Sequence, residues 1–315
     1  MTPSWPPAAL LRAPRTGGPT RIWRGLGRFL RLAGLSLLLS ACAAPSAVTT
    51  TPPVPEQNIK DIGSDTIVNL ALAWAQAYGA VQPDVNVSVT GGGSGTGLAA
   101  LINGTADLAN ASRAITAEEI AAAKANGITP VQHVVARDAI AVLVNPGNPV
   151  TQLTLPQLSA LYTGQLTNWR QVGGQDRPVV LLSRESNSGT HVYFLANVVR
   201  LGKSKSPLLF SPDTLLLPSS EGISAEVRQN PNAIGYDGLG YVTPDMRTVA
   251  VAAADGQPFV LPSFATVNDK SYPVARDLYI YSNGEPTGAI KAYLDWIMGS
   301  DGQKIVAQLG FVPIK

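Results

Sequence analysis

Leu182-Ser183-Arg184-Glu185-Ser186-Asn187-Ser188-Gly189-Thr190, leading into the apolar run 191–200, is the stretch on which the fold turns. Pro178–Ser183 (PVVLLS) is short, apolar and bounded by turn residues, which predicts a buried strand. Ser188 stands where a helix N-cap belongs, with Gly189 and Thr190 in the first turn of the helix that follows. Strand, small-polar loop and helix N-terminus then aim several backbone N–H groups, the positive end of a helix dipole and the Arg184 guanidinium at one place. Such a place suits an anion. An ordinary capped connection with a surface arginine reads equally well from these residues alone.

The pattern repeats upstream. Asn58–Gly63 (NIKDIG) is a strand candidate, followed by Ser64-Asp65-Thr66 at a cap and first turn. Ile67, Leu70, Ala71, Trp74 and Tyr78 then fall at helical spacing. Val85–Thr90 (VNVSVT) alternates as a strand and runs into Gly91–Gly97 (GGGSGTG), with Ser94 as the expected cap and Gly95 and Thr96 presenting free N–H groups. This loop has no Gly-Lys-Ser/Thr, and its glycine spacing departs from the dinucleotide fingerprint, which argues against a nucleotide site. Asp107–Ile115 supplies another turn, carrying Ser112 and Arg113.

Further elements are expected as a helix over 117–126, strands over 131–135 and 139–145 separated by Ala136-Arg137-Asp138, and helices over 155–162 and 224–229. A strand-like run covers 233–242, a late strand 277–282, and helices 287–298 and 302–309 close the chain. Alternation of strands and helices at these lengths predicts parallel α/β sheets. Ligand crevices in such sheets lie at the carboxyl ends of the strands, where all three small-polar turns fall. Ser, Thr and Gly donors with one or two arginines suit a desolvated tetrahedral oxyanion, whose lone pairs neutral donors satisfy while arginine balances its charge.

Six arginines and no acid occupy the first 41 residues, followed by the short apolar run 32–39 and Leu39-Ser40-Ala41-Cys42. A basic segment, a short apolar one and small residues before a cut predict a secretory signal over 1–41. The apolar run falls well short of the ~20 residues of a membrane span. Leu-Ser-Ala before the only cysteine resembles the bacterial lipoprotein box, which implies that Cys42 carries the lipid. Residues 42–57, rich in Ala, Thr and Pro, read as a flexible tether. Without its leader the chain has 17 Lys and Arg against 21 Asp and Glu, about −4 net, which argues against nucleic acid. A single cysteine rules out an internal disulfide framework. His133, His191 and that cysteine lack metal-ligand spacing, so no metal or cofactor is expected.

GSDTI (63–67), GGGSGTG (91–97), ASR (111–113), AVLVNPGNPV (141–150), the TG, TNW and VGG runs between 163 and 174, RESNSGT (184–190), AIGY and GLGYV within 233–242, and GFVP (310–313) occur in an order that resembles the phosphate-binding lipoproteins of phosphate ABC importers. The resemblance covers nearly everything after residue 58. It implies a type II periplasmic-binding-protein-like fold of two α/β lobes, with crossover strands near 137–139 and 275–278 as the hinge. One lobe is then 58–137 plus 276–315, and the other 138–275. It further implies inorganic phosphate as ligand, ABC permease subunits as partners, an extracytoplasmic location and a lipid anchor; a monomer is expected. The ligand contacts carried over are Asp65, Thr66, Ser94, Gly95, Thr96, Arg184, Ser188, Gly189 and Thr190, with Ser112 and Arg113 at a point of departure. The best-known members carry an aspartate at the position of Ser112, which takes the proton of hydrogen phosphate. Asp65 is the replacement candidate here, since a carboxylate beside a dianion is tolerable when it accepts that proton.

Other ligands for the same scaffold are tungstate, molybdate and sulfate, and other roles a phosphate sensor or an adhesin. A serine hydrolase built on Ser188 and His191 lacks the Gly-x-Ser-x-Gly elbow and an evident orienting carboxylate.

Overall fold

The computed structural model describes residues 57–314. The expected signal segment, Cys42 and the tether as far as residue 56 lie outside the described residues. In chain order the elements are β1 (Gln57–Gly63), α1 (Asp65–Val81), β2 (Val85–Thr90), α2 (Ser94–Ile102), β3 (Leu108–Ala111), α3 (Ala117–Ala125), β4 (Pro130–Val144), β5 (Gln152–Thr154), α4 (Leu155–Tyr162), β6 (Val180–Arg184), α5 (Gly189–Phe194), β7 (Leu215–Leu217), α6 (Ser220–Gln229), β8 (Ala233–Gly238), β9 (Arg247–Ala252), α7 (Phe264–Asn268), β10 (Ala275–Asn283), α8 (Gly288–Met298) and α9 (Ser300–Gln308). Beyond α5 the chain continues as a π-helical turn over Leu195–Val199.

The strands form one curled sheet in the order β2-β1-β3-β10-β4-β8-β6-β7, with β9 pairing both β4 and β5. Parallel pairing holds at the two ends, β1 with β2 and β3, and β6 with β7 and β8. The middle is antiparallel: β10 pairs β3 and β4, and β4 pairs β8 and β9. The sheet is therefore mixed, where alternation predicted parallel strands throughout. Two strands cross the middle of the molecule side by side in opposite directions, and the antiparallel pairs arise from them.

One of these, β4, is a single 15-residue strand. The sequence predicted two strands broken at Ala136-Arg137-Asp138, because two charged residues interrupt the apolar run. The interruption is absorbed by pairing: Asp138 lies opposite Arg276 of β10, and both side chains are buried in an ion pair of 2.9 Å. Residues 136–139 of β4 run against 275–278 of β10, so the two segments expected as crossovers are neighbours.

The core changes at this point. Val135 and Ala136 pack with Ile67, Leu70, Trp74, Tyr78, Tyr293 and Ile297 beneath α1. Ala139 and Ile140 pack with Tyr162, Trp169, Phe194 and Tyr236 on the far side. Two hydrophobic cores meeting within four residues of one strand are what the two-lobed periplasmic-binding-protein fold requires. Each fully buried Leu or Ile of these cores contributes about 1.5–3 kcal/mol relative to exposure.

Helix starts differ from expectation in two places that bear on the site. Gly93, at φ +92°, caps α2, so Ser94 is its first residue and its hydroxyl is released from capping. α6 begins at Ser220, four residues earlier than its apolar spacing suggested, because Ser219 caps it through Gly222 N–H. The strand expected over 233–242 ends at Gly238 and gives way to a 3-10 turn. The short elements β5, β7 and α7 carry too little periodicity to be read from sequence, and β9, an apolar run of ordinary strand length, was not anticipated.

Candidate functional site

Three helix N-termini meet where β1, β2 and β6 end. α1 enters after Ser64, whose N–H donates to the carbonyl of Asn110 (3.0 Å). α2 enters after the glycine loop, and α5 after Ser188, which is buried and makes no side-chain capping bond. The first-turn N–H groups of a helix have no intrahelical acceptor and concentrate its positive end, which favours an anion there.

Side chains from both sides of the crossover converge at this point. The Thr66 and Thr190 hydroxyls bond each other at 2.7 Å, both fully buried. Ser94 Oγ accepts the N–H of Ser112 (3.0 Å) and lies 3.3 Å from Ser112 Oγ. Gly189 packs directly over this pair. A β-carbon at 189 would fall 2.3 Å from Ser94 Oγ and 2.6 Å from Ser112 Oγ, so only glycine admits the approach. Buried hydroxyls can donate or accept as their surroundings demand, and four sit here against helix N-termini.

Arg184 is 1% exposed although it carries a full charge. Its Nη2 donates to Asp65 Oδ2 (2.7 Å) and to the Pro218 carbonyl (2.8 Å). Its Nη1 donates to Ser220 Oγ (3.0 Å), and its Nε to the Leu217 carbonyl (3.3 Å). The ion pair with Asp65 joins β6 to α1, and Asp65 Oδ1 also accepts the N–H of Gly92 (2.8 Å). A second carboxylate stands behind the arginine: Ser220 Oγ donates to Asp237 Oδ1 at 2.8 Å. Burial pushes the Asp237 carboxyl up to about 6, against the pull of Arg184. At the hinge, Arg276 donates from Nε and Nη2 to Asp138 Oδ2 (3.1 and 2.9 Å) and from Nη1 to the Ser112 carbonyl (2.9 Å). The hinge ion pair thereby holds the strand end that carries Ser112.

Of the residues expected from sequence, Asp65, Thr66, Ser94, Ser112, Arg184, Ser188, Gly189 and Thr190 are brought together. Arg113 is engaged elsewhere: its two terminal nitrogens grip Glu119 of α3 at 2.6 and 2.8 Å, drawn there by the acidic first turn of that helix. The Gly95 N–H donates to the Asn187 carbonyl (3.0 Å), and the exposed Thr96 hydroxyl donates to the Gly92 carbonyl (2.6 Å). Ser220, Asp237, Tyr241, Asp138 and Arg276 were not anticipated; Tyr241 OH donates to the Asp65 carbonyl at 2.7 Å. The one available signal was an aspartate inside the otherwise apolar AIGYDGLGYV run. His191 does not address Ser188. Its Nδ1 bonds Ser183 Oγ (3.0 Å), and burial lowers its pKa, so the nucleophile–base contact of a hydrolase is absent from this pair.

The sequence of residues 48–301 matches the PBP superfamily domain. The phosphate-binding protein PstS of Pseudomonas aeruginosa strain PAO1 is 32% identical over 309 residues, covering 90% of this chain and 94% of its own length. PstS of Bacillus subtilis strain 168 is 31% identical, covering 80% of this chain and 79% of its own. Among solved structures, a Clostridium perfringens substrate-binding protein crystallised with bound phosphate superposes with a TM-score of 0.72 at 32% identity, covering 82% of this chain and all of the other. An ABC-type phosphate transport receptor from Vibrio cholerae superposes with a TM-score of 0.66 at 28% identity, covering 81% of this chain and 99% of the other. The chain therefore belongs to the PBP superfamily, and within it to the family of the phosphate-binding proteins PstS.

Proposed function

We propose that this protein is an extracytoplasmic solute-binding protein that captures inorganic phosphate between its lobes and delivers it to an ABC importer, without catalysing a reaction. The observation that carries this reading is the convergence of the Thr66, Ser94, Ser112 and Thr190 hydroxyls with Gly189 and the helix N-termini of α1, α2 and α5. Ser188 and the Arg184–Asp65 pair border that point. Neutral donors satisfy the lone pairs of a tetrahedral oxyanion. The net positive contribution comes from helix ends, since Arg184 is already balanced by Asp65 and the nearby Asp237. Asp65 takes the role of proton acceptor: each carboxylate oxygen, though bonded once, keeps a lone pair for a ligand O–H. That acceptor admits hydrogen phosphate and discriminates against sulfate, which has no proton to give.

The lobes are 58–137 with 276–315, and 138–275, hinged where β4 and β10 cross. The protein acts as a monomer held to the membrane by a lipid on Cys42; among the described residues no helix is long and apolar enough to cross a bilayer. Incorporation of labelled fatty acid that disappears in Cys42→Ser checks the anchor.

Calorimetry on protein freed of bound anion by partial unfolding and dialysis tests the ligand. Phosphate is titrated alone and then against excess sulfate. Binding that sulfate fails to compete away supports the assignment; equal or better binding of sulfate, tungstate or molybdate overturns the ligand and keeps the site.

A further inference from the structure

The geometry points to Asn187 as a closure clasp, a positioning residue that locks the glycine loop of one lobe onto the anion loop of the other without touching the ligand. The inference rests on the proposed phosphate reading and adds a division of labour within it. Asn187 lies one residue before the α5 cap. Its carbonyl accepts the Gly95 N–H at 3.0 Å, while its side-chain amide donates to the Gly92 carbonyl at 2.8 Å and approaches Thr96 Oγ1 at 3.4 Å. Two firm bonds and one long one from a single residue thus cross from the β6–α5 loop to the β2–α2 loop and the first turn of α2.

The glycine loop is shaped to receive this residue. Gly93 has φ +92°, and a β-carbon there would sit 2.8 Å from the Asn187 carbonyl oxygen and 3.1 Å from its Cγ. A β-carbon at Gly95 would come within 3.3 Å of the same oxygen. Gly93 and Gly95 therefore allow another chain segment to dock, and the oxyanion is received deeper, by Ser94 and by Ser112 behind it. This accounts for two residues expected at the ligand from their place after the Ser94 turn and from the family resemblance. The Gly95 N–H is directed at Asn187, and Thr96 stands exposed at the rim with its hydroxyl on the Gly92 carbonyl. Because the clasp forms as the lobes meet, its bonds belong to the closed state and govern release more than capture.

The test measures phosphate association and release by stopped flow for wild type, Asn187→Ala and Gly93→Ala, together with small-angle scattering of each protein with and without phosphate. Loss of the amide in Asn187→Ala is expected to raise the release rate about tenfold and leave the association rate within about twofold, with an unchanged melting temperature of the free protein. Gly93→Ala, which obstructs the docking itself, is expected to release faster still and to scatter as a more extended particle at saturating phosphate. Release and radius unchanged in both variants overturn the clasp. A wild type that fails to bind phosphate overturns the functional reading instead, and the comparison of radii between wild type and the two variants still decides the clasp.

Discussion

Asp65 and Arg184 form an ion pair of 2.7 Å at the edge of the proposed phosphate site. An arginine 1% exposed is tolerable because a carboxylate, a hydroxyl and two carbonyls meet its donors. Arg184→Ala leaves Asp65 without its cation, and phosphate affinity is expected to fall by about 10²–10³-fold by calorimetry, the scale of a broken buried charged pair. Asp65→Asn keeps the shape and removes the proposed proton acceptor. Phosphate should weaken while sulfate holds or improves, lowering the ratio of the two affinities by at least about tenfold. An unchanged ratio would place the proton acceptor elsewhere. Arg184 was legible from its position between a strand and a cap. Its second carboxylate, Asp237, was not, since 53 residues of sequence separate the two and only the parallel pairing of β6 with β8 brings their strands together.

At the level of elements, the site depends on how closely α5 approaches α2. Gly189→Ala forces a methyl group into the space of two serine hydroxyls, at 2.3 and 2.6 Å. Phosphate affinity should drop about a hundredfold, with a modest fall in melting temperature, because the clash is relieved when the lobes part. Calorimetry and thermal melts on the same sample check both halves. The sequence carried the three strand–turn–helix units because their apolar periodicity and small-polar caps are local. It misplaced one cap: Ser94 reads as the better capping residue, yet Gly93 takes the position, with a φ of +92° and no room for a β-carbon beside the Asn187 carbonyl.

For the molecule as a whole, stability and hinge behaviour rest on buried charge. Asp138→Asn leaves Arg276 without its counter-charge between the crossover strands, at an expected cost of about 3–5 kcal/mol in urea unfolding. Asp61 of β1 faces the core beneath α1 with neither carboxylate oxygen hydrogen-bonded. Burial pushes its pKa from 3.8 up to about 7. Between about pH 4 and 7 the folded chain holds a proton that the unfolded chain has released. Stability therefore falls as pH rises through that window and levels off above it, by a few kcal/mol in all. Asp61→Asn should remove most of this slope in urea melts at pH 5 and pH 8. An equal slope in the variant assigns it to another group.

The sequence by itself determined the α/β class, the three helix N-termini, Arg184 and the order of motifs that marks the family. Each of these is written in neighbouring residues, through periodicity, capping and turn chemistry. Tertiary structure alone decided which donors face inward. It joined two expected strands into β4 through the Asp138–Arg276 pair and directed Gly95 to Asn187. A side chain's choice of partner depends on what other elements bring within about 3 Å of it, and that distance is set by packing across the fold rather than by its neighbours in the chain.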